Sequence, residues 1–133
     1  MLEYTYKFFF YSACTIVIET VVLFLLIRKG FKIDGSTVAT KKIIIAGIFA
    51  SMITLPYVWY ILPILVYWSY GLQVIFSEVL AVVVEALFYG LFLIPRWKRA
   101  IVLSVICNAV SFFLMLLLNT IPAFSEFVSW VVS

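Results

Sequence analysis

The chain has no histidine, only 11% charged residues and two cysteines in 133 residues. Each scarcity removes a class of function. Without histidine there is no Cys/His pattern to hold zinc or copper. No serine or cysteine stands beside a recognisable base, and no motif for a nucleotide or a lipid headgroup is present. Cys14 and Cys107 both fall inside apolar runs. Counted from Arg28 and Arg99, at the basic ends of their helices, their depths differ by roughly 9 Å at the helical rise per residue, which disulfide geometry does not allow. Both read as small, buried, apolar-like side chains. No polar stretch is long enough to fold alone, the longest being 28–42. A cleavable signal peptide is not expected either. The first apolar run is longer than a signal core, carries Glu19 and lacks a small-residue cleavage site before Arg28.

What is present is apolar. The composition is 67% hydrophobic and the mean hydropathy is +1.26, far from the roughly half-apolar usage of water-soluble domains. Four runs, 8–27, 43–67, 72–94 and 100–118, are long enough to cross about 30 Å of hydrocarbon. The expectation is an all-α polytopic membrane bundle of four transmembrane helices, a single domain over 1–133. Beyond Pro122, "AFSEFVSWVVS" spaces Phe124, Phe127, Val128 and Val131 on one helical face and Ser125, Ser129 and Ser133 on the other. That pattern predicts a short amphipathic helix over 123–133, lying in the membrane interface with Trp130 at its surface.

The net charge of +3 would suggest nucleic acid in a water-soluble protein; here the basic residues report topology instead. Arg28, Lys29, Lys32, Lys41 and Lys42 lie between the first and second runs, and Arg96, Lys98 and Arg99 between the third and fourth. The remaining connection and the tail have none. The positive-inside rule then predicts a multi-pass protein of the cytoplasmic membrane with both termini outside. Membrane lipids are the expected surroundings and nucleic acid is not an expected partner.

Polar residues are few, and their depths agree. Glu19 lies nine residues from Arg28, Asn108 nine from Arg99, Glu85 eleven from Arg96, and Ser51 and Thr54 nine and twelve from Lys42. At the helical rise, every helix therefore places a polar group roughly 14 to 18 Å from the basic girdle, near the bilayer middle. Glu78, two turns from Glu85 on the same helix face, lies about one layer further out.

An ionised carboxylate at that depth costs at least a few kcal/mol. These residues are therefore expected to face inward. They are either protonated and hydrogen-bonded, or they line a hydrated cavity, or they hold a cation. Ser51, Thr54, Ser104 and Ser111 read first as interhelical hydrogen-bonding residues. Glu19 and Glu85 read first as functional, because Asn or Gln would hold helices together at lower cost. The candidate ion- or ligand-binding set is Glu19, Glu85 and Asn108, with Glu78 lining the outward approach and Ser51 and Thr54 contributed by the second helix.

Further short motifs accompany this layer: "ET" at Glu19-Thr20, "TLP" at Thr54-Leu55-Pro56, Glu78 and Glu85 seven apart, and "NAVSF" from Asn108 to Phe112. In their order and spacing the sequence resembles a family of small, uncharacterised prokaryotic four-helix membrane proteins. The resemblance spans most of the chain. It implies a four-helix bundle with this polar layer and implies no substrate.

Three functions compete. The first is a transporter or ion-translocating protein whose central site takes a proton or a hard cation such as Na⁺, Mg²⁺, Ca²⁺ or Mn²⁺, since the donors are all oxygens or an amide. Four helices enclose little volume, so this reading calls for a homo-oligomer, at least a dimer. The second is a non-catalytic membrane subunit or assembly partner whose polar layer fixes helix packing. An intramembrane enzyme ranks third, and no resident cofactor is expected beyond the possible cation.

Overall fold

The computed structural model describes residues 2–132, and these form helices joined by short connections with no strand among them. Helix α1 spans Leu2–Leu25 and runs on through a π-helical segment, Leu26–Gly30. Helix α2 spans Thr40–Pro56, passes through a second π-helical segment, Tyr57–Ile61, and ends in the one-turn helix α3, Leu62–Leu65. Helices α4 (Tyr70–Phe92), α5 (Trp97–Asn119) and α6 (Pro122–Val132) complete the chain. Four helices are long and apolar enough to cross a membrane. The described residues thus form an all-helical bundle whose four long helices could span a membrane.

Several boundaries depart from the hydropathy runs. Helix α1 begins at Leu2, six residues before the expected start. The aromatic cluster between Tyr4 and Tyr11 is inside the helix, where its backbone groups are satisfied in any solvent. The last helix opens on Pro122, whose missing N–H costs nothing at a first helical position. Ser133, the expected final residue of that helix, lies outside the described residues.

The second span is irregular at its prolines. Pro56 brings no amide hydrogen to the ladder, and the wider π-helical turns follow directly. Pro63 likewise cannot donate to the carbonyl four residues before it, that of Trp59. The Tyr4 hydroxyl donates to that oxygen at 2.7 Å and restores the bond from another helix.

The four long helices form a closed ring. Helix α1 packs on α2 and α5, and α4 packs on α2 and α5. One end of the ring is a solid core in which Leu23, Ile27, Ile43, Ala46, Tyr89, Leu93 and Leu103 are buried together. Val38 and Ile94, from the two basic connections, join the same cluster, and the Arg99 guanidinium stacks 5.4 Å from the Phe31 ring. Both basic connections therefore sit at one end.

Arg28 ties the longer connection together, donating to the carbonyls of Ile33 at 2.8 Å and Val38 at 2.7 Å. Lys32, at φ 53°, makes the reversal after the π-helical turn. The exposed Asp34 carboxylate accepts from Ser36 and Thr37, which holds its pKa below the ordinary value, the Ser36 hydroxyl contributing most.

The opposite end is aromatic. Tyr11 donates to Asn119 Oδ1 at 2.8 Å, linking α1 to α5. Phe10 meets Phe124 and Phe127 of α6, each with ring centroids 6.0 Å apart. Helix α6 rests on α1 and α5 through Val128, leaving Trp130 exposed. Cys14 is partly buried and Cys107 fully so, and both are free thiols.

A close approach of helix backbones occurs at Gly47 of α2. A Cβ there would stand 2.7 Å from Thr20 Oγ1 and 3.1 Å from the Thr20 Cα, and a backbone atom cannot rotate away. Small residues at Ala46, Gly47, Ala50 and Ser51 make this approach possible. Gly47→Ala is expected to push α1 and α2 apart and cost about 1–3 kcal/mol of stability, measured by thermal unfolding in detergent. An unchanged midpoint would show that the contact yields.

Candidate functional site

Near the middle of the ring the polar layer assembles as two connected carboxylate sites. Glu19 of α1 is 2% exposed and is held by two hydroxyls. Ser51 of α2 donates to its Oε2 at 2.5 Å, and Ser111 of α5 donates to its Oε1 at 2.8 Å. Glu85 of α4 is 1% exposed. Its Oε2 accepts from Asn108 Nδ2 at 2.6 Å and, at 3.5 Å, from the Ser104 hydroxyl.

The two halves meet on α5, where the Ser111 hydroxyl lies 3.0 Å from the Asn108 carbonyl. The expected triad of Glu19, Glu85 and Asn108 is therefore divided. Asn108 bonds Glu85 alone, and serines of two neighbouring helices serve Glu19.

Every donor in this network has a second acceptor on a backbone. Ser51 Oγ lies 3.0 Å from the Gly47 carbonyl, Asn108 Nδ2 lies 3.0 Å from the Ser104 carbonyl, and Ser104 Oγ lies 2.9 Å from the Val82 carbonyl. A hydroxyl so placed donates to an ionised carboxylate. It turns back to its carbonyl and accepts instead when the carboxyl carries a proton. The geometry around Glu19 thus accommodates both protonation states without moving a helix.

Glu85 reaches the same end differently. Its Oε1 accepts no hydrogen bond from a described residue. The fully buried polar atoms without a partner are Ser12 Oγ, Thr20 Oγ1 and Tyr89 OH. Oε1 is instead the oxygen open to the cavity that Glu85 lines. The Tyr89 hydroxyl lies beside the same carboxyl without meeting hydrogen-bond geometry.

That cavity, of about 540 Å³, occupies only the half of the ring away from the basic connections. Glu19, Thr54, Glu85, Asn108 and Ser111 form its deep end, and Tyr4, Tyr11, Trp59, Tyr70 and Asn119 line it toward the aromatic end. Glu78 lines it between these levels, half-buried, and accepts no hydrogen bond from a described residue. Among the described residues no lysine or arginine lines it. Thr54 reaches the wall but not the carboxylates; its hydroxyl bonds back to the Ser51 carbonyl at 3.1 Å. Ser12, on the same face as Thr15 and Glu19 by spacing, is buried outside the cavity.

Depth counting brought Glu19, Glu85 and Asn108 to one layer and Glu78 outward of them, and the structure gathers all four around one cavity. It also promotes Ser111 and Ser104, which carry direct bonds to the carboxylates. Their spacing of three and four residues from Asn108 was the available signal. Glu78 stands apart from the two deep carboxylates, and among the described residues no three His, Cys, Asp or Glu side chains are grouped to hold a metal ion. Comparison with family models, curated proteins and solved structures finds no match to this chain.

Proposed function

We propose that the protein is a small proton-linked membrane transport protein, with Glu19 and Glu85 as its proton-exchanging groups. The observation that carries this reading is the doubled set of acceptors. Interhelical adhesion needs one fixed set of bonds, whereas donors with an alternative carbonyl suit a carboxyl that gains and loses a proton. The cavity supplies access from one side, and the apolar core around Leu23, Ile43 and Leu103 closes the other. Of the two ligands considered for the central site, the separation of Glu78 from the two deep carboxylates favours a proton over a chelated hard cation.

By the positive-inside rule the basic end faces the cytoplasm, so the cavity opens outward and both termini lie outside, with α6 in the outer interface. Cysteine introduced at Ser36 and at Ser125 is expected to label from opposite sides of intact cells; labelling of both from one side would overturn this orientation. One cavity in one ring also calls for pairing of two copies, so that closing one side accompanies opening of the other.

The test of proton exchange is infrared difference spectroscopy on the purified protein at varied pH. Carboxylic acid bands that appear and disappear with pH, and are removed by Glu19→Gln and Glu85→Gln, are expected. Carboxyl bands indifferent to pH would overturn the reading. They would favour the assembly-partner alternative, whose support is the set of side-chain bonds joining α1 to α2 and α5, and α4 to α5.

A further inference from the structure

A proton needs no chamber. A cavity of about 540 Å³ falls in the size range of sites that enclose a small organic molecule, so the chamber itself has to be accounted for. Its charge is of one sign. Glu19, Glu78 and Glu85 line it, and among the described residues no basic side chain does. An anion would gain no partner there and would meet like charge, whereas a cation would meet an opposite charge in a medium of low dielectric. Two carboxylate sites have unused capacity: Glu85 Oε1 on a side chain 1% exposed, and the whole Glu78 carboxyl.

The walls are aromatic. Trp59 stacks on Tyr11 with centroids 6.1 Å apart and meets Tyr4 edge-on at 5.7 Å, and Tyr70 lines the same end. These bonded and stacked rings hold π faces in place around the approach to Glu78. Aromatic faces beside a carboxylate attract an ammonium that carries an apolar body. A bare inorganic cation would instead require oxygens gathered within coordination distance, and no such group is present among the described residues.

We infer that this cavity binds an organic ammonium ion with an apolar or aromatic substituent, its charge at Glu78 and Glu85 and its body against Trp59, Tyr4 and Tyr11. The inference rests on the proton-linked reading and supplies its counterpart. The cation and the proton compete for the same carboxylates, so binding of one releases the other.

The probe is benzyltrimethylammonium, which has a fixed charge at every pH, compared with its uncharged carbon isostere neopentylbenzene. Binding to the full chain in detergent is followed by calorimetry, and proton release is followed in weakly buffered solution. The charged probe is expected to bind at least about tenfold more tightly than the isostere, to bind more tightly as pH rises, and to release protons. Glu78→Gln, at a carboxyl that holds no helix in place, is expected to weaken binding at least about tenfold. Trp59→Ala is expected to weaken it about three- to thirtyfold.

Equal binding of probe and isostere, or binding indifferent to Glu78→Gln, would overturn the inference. If carboxyl bands still respond to pH in that case, proton exchange stands and only the ligand class falls. Tight, Glu78-dependent binding without pH dependence or proton release would leave the ammonium site in place. It would overturn the exchange with protons and the reading on which it rests.

Discussion

Glu85→Gln is expected to weaken the pH dependence of any flux or binding measured at the site, Glu19 and Glu78 remaining to titrate, while changing stability by less than about 1 kcal/mol. The Gln carbonyl oxygen replaces Oε2 as acceptor for Asn108 Nδ2, now 2.6 Å away, and the Gln amide takes the place of Oε1 at the cavity. Shape and hydrogen bonding survive; only the titrating proton is lost. Glu85→Leu separates the two roles. It takes an acceptor from Asn108 and is expected to cost about 1–3 kcal/mol. Transport-linked pH dependence that is unchanged in Glu85→Gln would show that Glu85 takes no part in the proton exchange. Unfolding in detergent, followed alongside flux in reconstituted vesicles, reads both quantities on the same variants.

Asn108→Leu is expected to be more damaging than Glu85→Leu, because it strands the charge-bearing partner. Glu85 would keep only the long 3.5 Å contact to the Ser104 hydroxyl, and that hydroxyl already has the Val82 carbonyl at 2.9 Å. A buried carboxyl without a good donor costs about 1–3 kcal/mol, more when ionised, whereas replacing both partners by apolar groups of similar shape is nearly neutral. The double variant Glu85→Leu with Asn108→Leu should therefore recover most of the stability lost by Asn108→Leu while remaining inactive. Additive losses in that double-mutant cycle would show that the 2.6 Å bond contributes little coupling.

Glu19 behaves differently, and the contrast follows from its partners. Both of its hydroxyl donors, Ser51 and Ser111, have carbonyls of their own helices within 3.0 Å. Stability near Glu19 is thus cushioned against loss of the carboxyl. The Glu85 side is held by the Asn108 amide, whose Nδ2 can only donate and cannot turn to accept as a hydroxyl does.

Much of this architecture is legible in the chain before folding. Hydrophobic runs of about 20 residues admit one stable form in a bilayer, a helix, because every backbone polar group must be satisfied within the segment. The placement of eight of the nine Arg and Lys residues on alternate connections, Lys7 being the exception, orders the two ends of the bundle. The constant helical rise turns residue number into depth, so the common layer of Glu19, Ser51, Glu85 and Asn108 is also a property of the sequence.

Depth is only one coordinate. Which helices are neighbours, and which face each turns to which, depends on packing between segments distant in the chain. The ring order that sets α1 beside both α2 and α5 is what delivers Ser111 to Glu19 across 92 positions and leaves Asn108 to Glu85. The close contact of Gly47 with Thr20 draws α1 to α2 just below the Glu19–Ser51 bond. The π-helical bend after Pro56, with Tyr4 filling the role of the missing Pro63 donor, sets Trp59 in the wall of the cavity. A cavity confined to one half of the ring is likewise a tertiary result. It depends on where side chains from four helices fill space and where they do not, and no single run of residues specifies that sum.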